Sequence, residues 1–274
     1  MRVTGLVIYP VKSLRGYTVP AGTVDALGFV GDRRFLVVDE TGTFLTQRTV
    51  PRMALVDARL SADTLLLSAE GAAGVSVGVA SDPAAPLRTV NIWKSQGLKA
   101  EDCGTAASKW LTDFLRLPCH LVRIGRDYVR PVLKSAAQPG DLVSFADAEP
   151  FLVVGESSLA ELNNRIQENQ GEPVPMNRFR PNIVVDGCAA FAEDHWSRVR
   201  IGNVVFRHGG LCARCIITTT DQLTGERTGK EPLKTLASFR RDARDPSNIN
   251  FGVNLIQETK EGIVRLGDTV TPVT

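Results

Sequence analysis

Of five cysteines at positions 103, 119, 188, 212 and 215, only Cys212 and Cys215 are close enough to act together, in the run Leu211-Cys212-Ala213-Arg214-Cys215-Ile216-Ile217-Thr218-Thr219-Thr220-Asp221. Such a pair supports four chemistries. It could be half of a structural zinc site, but no second CxxC exists and His208 offers only a third ligand where a closed site needs four. It could be a redox dithiol, but those sit at helix starts, whereas these cysteines precede a β-branched run that reads as a strand over 214–220. It could be two inert core thiols. Or one thiolate, its ionised form favoured by Arg214, could be a soft ligand to a transition metal. One cysteine does not hold a metal alone, so the last reading needs an organic ligand to bring the metal. An anionic ligand of that kind needs basic contacts elsewhere.

Candidates for those contacts exist in Lys12-Ser13, Asp32-Arg33-Arg34 and Arg178-Phe179-Arg180-Pro181-Asn182. Guanidinium forks bind phosphate in bidentate fashion, and Asn182 can read ring donors and acceptors. A helix beginning near Glu156-Ser157-Ser158, with Leu159, Leu162 and Ile166 on one face, offers free N–H groups and hydroxyls to an anion. The usual fate of Lys and Arg is a solvated surface, to which Arg34 and Arg178 are assigned. Trp93, Trp110 and Trp196 read as core or capping aromatics, and the three histidines as structural. Cys212 reads as a small core residue beside the site, and Asp221 as a turn residue.

Elements that could position these groups follow from the apolar pattern. Runs at 3–9, 34–38, 43–46, 64–68 and 74–79, punctuated by Gly and Pro, predict strands of a small barrel or sandwich. A helix is predicted over 104–116, with Trp110, Leu111, Phe114 and Leu115 as its stripe and Pro118 beyond its end. Residues 126–140 read as a mobile loop. Strands are expected at 151–154, 182–186, 203–206, 214–220, 251–256 and near 263–271. The 274 residues carry 43% apolar and 23% charged side chains and a net charge of +2, an ordinary globular mix with no bulk electrostatic case for nucleic acid or membrane surfaces. No run approaches the ~20 apolar residues of a membrane span. The start lacks a signal-peptide pattern, so a cytoplasmic protein is expected.

Several short motifs, in order, resemble one family. They are Tyr-Pro-Val-Lys-Ser at 9–13, Gly-Asp-Arg at 31–33, Ser-Ser-Leu-Ala-Glu-Leu-Asn at 157–163, Arg-Phe-Arg-Pro-Asn-Ile-Val at 178–184 and Glu-Asp-His-Trp at 193–196. Arg-Cys-Ile-Ile-Thr-Thr at 214–219, Lys-Glu-Pro-Leu-Lys-Thr-Leu at 230–236 and Gly-Asp at 267–268 continue the series. Over nearly the whole chain the pattern resembles the MOSC proteins, and among them the mitochondrial amidoxime-reducing component and its bacterial relatives. The resemblance implies a β-dominated α+β fold, with a MOSC β-barrel core, a few helices and an N-terminal β-rich subdomain. It divides the chain into 1–118 and 119–274, with the first ~35 residues able to run through the core.

By the same resemblance the protein binds molybdenum cofactor (Mo-molybdopterin), with Cys215 as the metal ligand and catalytic thiolate. Lys12, Ser13, Arg33, Ser157, Ser158, Arg180, Asn182 and Arg214 would contact the cofactor. The implied activity is reduction of small N-hydroxylated compounds such as amidoximes, hydroxylamines and N-hydroxylated bases. Many bacterial relatives carry a fused ferredoxin domain that does not follow here, so electrons are expected from a separate ferredoxin, cytochrome b5 or flavoprotein reductase. A cofactor carrier or sulfur-handling protein without turnover is the alternative.

Overall fold

The computed structural model describes residues 1–273. Its largest sheet has eight strands in the order Val270–Val273, Arg198–Ile201, Val204–Ala213, Asn250–Gln257, Phe151–Gly155, Ile183–Asp186, Arg2–Ile8 and Tyr17–Thr18. The first strand of the chain therefore joins, one place in from the edge, a sheet otherwise built almost entirely from the C-terminal half. Its partner is Ile183–Asp186, antiparallel, with Leu6 opposite Ile183. Inward residues of these strands, among them Val3, Leu6, Phe151, Val153, Phe206 and Leu255, are buried together. Phe29, Phe151 and Phe206 meet edge to face, the arrangement that ring quadrupoles favour.

A second sheet pairs Phe35–Val38, His120–Arg123, Ser95–Asp102 and Leu87–Ile92. All four residues of Phe-Leu-Val-Val are buried, as expected for a continuous apolar run covered on both faces. A meander of Asp57–Ser61, Thr64–Ala69 and Ala72–Gly78 covers one side of helix α1 (Thr105–Leu115), which buries Ala107, Leu111 and Leu115. Trp110 and Phe114 of its stripe stack at 5.6 Å at the edge of that core. Helix α1 ends on Arg116 in the left-handed region, two residues before Pro118. Helices α2 (Glu156–Glu168) and α3 (Leu233–Phe239) pack near one another outside the main sheet. The fold is thus α+β and β-dominated, with curled sheets, as the resemblance implied. Among the described residues no helix is long and apolar enough to cross a membrane.

Four local expectations fail. Residues 43–46 form only isolated bridges, Phe44 to Val38 and Thr43 to Asn91. The run 214–220 is not a strand: the strand ends at Ala213, and Ile216–Thr219 form a 3-10 turn. Thr218 and Thr219 hydroxyls donate to the carbonyls of Cys215 and Ile216, so these residues spend their polar groups locally rather than on a ladder. The loop 126–140 is pinned by buried Tyr128, Arg130 and Val132, and Arg130 donates to the carbonyls of Ser144, Ala146 and Asp147. The expected strand near 263–271 is two strands, Gly262–Arg265 and Val270–Val273, in different sheets.

Candidate functional site

A cavity of about 490 Å³ opens where the Lys12-Ser13 turn, Arg33, the Trp93–Ser95 turn, the 146–152 segment, the 179–182 segment and the Leu211–Cys215 stretch converge. Four of its residues, Ser13, Arg33, Trp93 and Arg180, hold left-handed backbone with φ of 65°, 48°, 51° and 56°. Non-glycine residues rarely adopt that region, and the chain has only eight among the described residues. Half of them surround one cavity, the clustering expected where backbone strain aims side chains at a site.

The basic wall is built on Tyr9. The guanidinium groups of Arg33 and Arg180 each lie 4.3 Å from its ring centroid. Asp32 receives the Tyr9 N–H at 2.9 Å and pairs with Arg33 at 2.5 Å. Arg33 also donates to Asn182 Oδ1 at 2.9 Å, and Arg180 donates to the Leu14 carbonyl at 2.7 Å. Burial lowers the Arg180 pKa to about 10; Tyr9 and Asp32 oppose that shift and Arg33 adds to it. Burial likewise raises the Tyr9 hydroxyl. Asn182 lines the cavity, and its amide is engaged within the protein: Oδ1 also accepts the Leu152 N–H and Nδ2 donates to the Val7 carbonyl, which fixes it against Arg33.

Lys12 is buried at the opposite side of the turn and pairs with Asp147. Burial lowers its pKa to about 8 even though Asp147 works the other way. Asp147 also receives Arg48 at 3.3 Å and the Trp93 indole N–H at 3.1 Å, while Arg48 stacks 4.7 Å from the Trp93 ring. Burial raises the Asp147 carboxyl, but Lys12 and Arg48 outweigh it and hold the group well below the usual carboxylate range. Trp93 is thus a cavity wall rather than the core or capping aromatic expected of it. Glu149 is buried in the same wall, and burial pushes its carboxyl up to about 7.

Cys212 closes the Val204–Ala213 strand and Cys215 immediately precedes the 3-10 turn; both line the cavity. Arg214 donates to Cys212 Sγ at 2.9 Å and to the Phe179 carbonyl at 2.7 Å, so the guanidinium serves Cys212 and not Cys215 as expected. Burial raises the Cys212 thiol in spite of that contact. Both thiols are free and half-buried; Cys212 packs against the cluster of Phe179 and Phe251 and receives Arg214, whereas no hydrogen bond engages Cys215 Sγ among the described residues. Among the described residues no three His, Cys, Asp or Glu side chains come together as a metal cage, which removes the zinc reading with His208.

Ser157 and Ser158 do not belong to the site. The Phe151–Gly155 strand enters from the cavity at Phe151 and Leu152, and the helix begins at its far end, roughly 13 Å along at strand rise. The Ser158 hydroxyl donates to the Glu193 carboxylate at 2.7 and 2.9 Å and accepts the Phe191 N–H, while Ser157 is absent from the cavity lining. Arg34 and Arg178 are not solvated charges either: they pair with Asp25 at 2.7 Å and Asp221 at 2.9 Å. Asp221 accepts the N–H groups of Leu223 and Thr224, as a turn residue does.

Eight cationic side chains line the cavity against two carboxylates, Asp147 and Glu149. Arg48, Arg130, Asp147 and Glu149 carry no sequence motif; their only signal is charge near Gly or Pro punctuation.

Comparison with known proteins gives two family matches: the MOSC N-terminal beta barrel domain over residues 1–118 and the MOSC domain over residues 141–271. Mitochondrial amidoxime-reducing component 1 of Homo sapiens is 36% identical, covering 98% of this chain and 82% of its own length. Its Mus musculus counterpart is 36% identical over 98% and 81%. Mitochondrial amidoxime reducing component 2 of Bos taurus is 35% identical over 98% and 82%.

Proposed function

The chain belongs to the MOSC family, carrying both its N-terminal barrel domain and the MOSC domain, and on that premise we propose that it is a molybdenum-cofactor-dependent reductase of N-hydroxylated compounds. One observation carries the reading: a single cavity joins a half-buried free thiol, Cys215, to a wall with a large excess of positive charge. Two buried guanidinium nitrogens in that wall, Arg48 Nη1 and Arg214 Nε, lack any partner among the described residues. Buried donors are ordinarily satisfied, so an anionic group with acceptor oxygens fits what the wall leaves unpaired.

In this reading Lys12, Ser13, Arg33, Arg180 and Arg214 hold the phosphate and pterin, and Cys215 supplies the thiolate to molybdenum. Asn182 and Asp32 keep Arg33 in place, and Tyr9 keeps the two guanidinium groups apart. The cofactor, when bound, supplies two-electron redox chemistry. The chain's own walls bind and orient the substrate, with Trp93, Leu133 and Leu211 presenting apolar surface at the partly exposed mouth. Electrons come from a separate redox protein, and the cytoplasm is the proposed location.

The test is turnover. Purified, cofactor-loaded protein with dithionite should convert benzamidoxime to benzamidine. Protein that retains molybdenum and shows no turnover refutes the reductase and leaves a cofactor carrier.

A further inference from the structure

Reduction of an amidoxime consumes protons, and the cavity holds few groups able to give one. Arginines stay charged, the Lys12 ammonium is held by its ion pair with Asp147, and the Asp147 carboxylate is committed to Lys12, Arg48 and Trp93. Glu149 is the buried carboxyl of the wall. It is 7% exposed, and its Oε2 atom is buried with no hydrogen-bond partner among the described residues. An ionised carboxylate in that position lacks the donors it needs, whereas a neutral carboxylic acid carries its own proton and fits. The fold also makes room for it. A Cβ at Gly209, on the strand that leads to Cys212, would lie 3.2 Å from Glu149 Cγ, so a glycine there lets the Glu149 stem lie against the backbone.

We propose that Glu149 is the proton donor to the departing oxygen during N-reduction, a role that rests on the reductase reading above. The balance is complete. R–C(NH2)=N–OH takes two electrons from the redox donor and two protons, its N–O bond breaks, and the products are R–C(NH2)=NH and water. Glu149 gives one proton to the leaving oxygen, the second comes from solvent, and Glu149 is recharged from solvent through the cavity mouth. The charged or titratable groups facing it are Lys134 from the 126–140 loop, Asp147 from its own segment and Cys212 from the Val204–Ala213 strand. Lys134 favours its ionised form and Asp147 its neutral form, and burial sets the balance near neutrality.

Two measurements test this. In metal-free protein, infrared difference spectra of wild type against Glu149→Gln isolate the carboxyl band of Glu149. The band should be present at about pH 6 and lost by about pH 8, against an ordinary Glu that ionises near 4.3. A band already gone by about pH 5 overturns the proposal. In loaded protein with dithionite and benzamidoxime, Glu149→Gln should lower kcat by about 100-fold or more at unchanged KM. It should also erase the alkaline fall of the rate, and Glu149→Asp should restore part of both. A Gln variant that turns over with the wild-type pH profile overturns the role of Glu149 alone. Wild-type protein without turnover overturns the reductase reading and this role with it.

Discussion

Replacing Arg180 by Met separates an anion clamp from a merely structural cluster. The guanidinium groups of Arg33 and Arg180 each lie 4.3 Å from the Tyr9 centroid, so they are at most about 8.6 Å apart. At an effective dielectric of about 20 their repulsion is at least about 2 kcal/mol. Removing Arg180 relieves that repulsion but gives up a cation–π contact and leaves the Leu14 carbonyl without its donor, losses of about 2–5 kcal/mol together. The terms oppose, so the anion-free variant should melt within a few degrees of wild type. Anion binding has no such compensation. A lost charge-assisted hydrogen bond is worth about 1.5–3 kcal/mol, or about 10- to 150-fold in affinity for inorganic phosphate. At phosphate about 100-fold above its Kd, wild type gains about 2.7 kcal/mol, and a variant weakened about 30-fold gains about 0.9. For a chain of this size that is about 5 °C against about 2 °C in Tm. Thermal unfolding in phosphate, with chloride of equal ionic strength as control, reads the difference. Equal shifts in the two proteins would refute the clamp.

Cys215→Ala should lose molybdenum through purification while Cys212→Ala retains it, as elemental analysis reads directly. Ser158→Ala should cost about 1–3 kcal/mol in denaturant unfolding, because fully buried Glu193 loses a donor and the Phe191 N–H its acceptor. The same variant should keep the phosphate-dependent Tm shift, which a cofactor role for Ser158 would not allow. Glu149, raised from 4.5 to about 7 by burial, is neutral in the fold where the unfolded chain is ionised. Its contribution is therefore full below about pH 4.5 and lost as pH rises through 7. Glu149→Gln should match wild type near pH 4.5 and exceed it at pH 8 by up to about 3 kcal/mol; equal stability at pH 8 would show that Glu149 carries no such shift.

Local information alone decided a good deal. Helices α1 and α2 and the strands at 2–8, 35–38, 64–69, 151–155 and 183–186 were legible because apolar periodicity is read residue by residue, without knowledge of partners. So were the residue types of the site: a thiol at 215 and basic residues at 12, 33, 180 and 214, in the order that identified the family. Strands without an apolar run, such as Leu87–Ile92 and Ser95–Asp102, were not legible, since they are held by the ladder and by contacts far away in sequence. Only the tertiary structure decided direction. Ser157 and Ser158 begin a helix after a strand, as an anion site requires, yet the strand runs away from the cavity and carries them with it. Arg214 neighbours Cys215 in sequence, but the end of the strand turns its guanidinium to Cys212. Arg48, Asp147 and Glu149 lie about 100 residues apart or belong to irregular segments, and only the folded chain brings them to one wall with Cys215. Sequence specifies which groups exist and which short stretches are regular; where a side chain points depends on backbone dihedrals and non-local packing, which no single stretch contains.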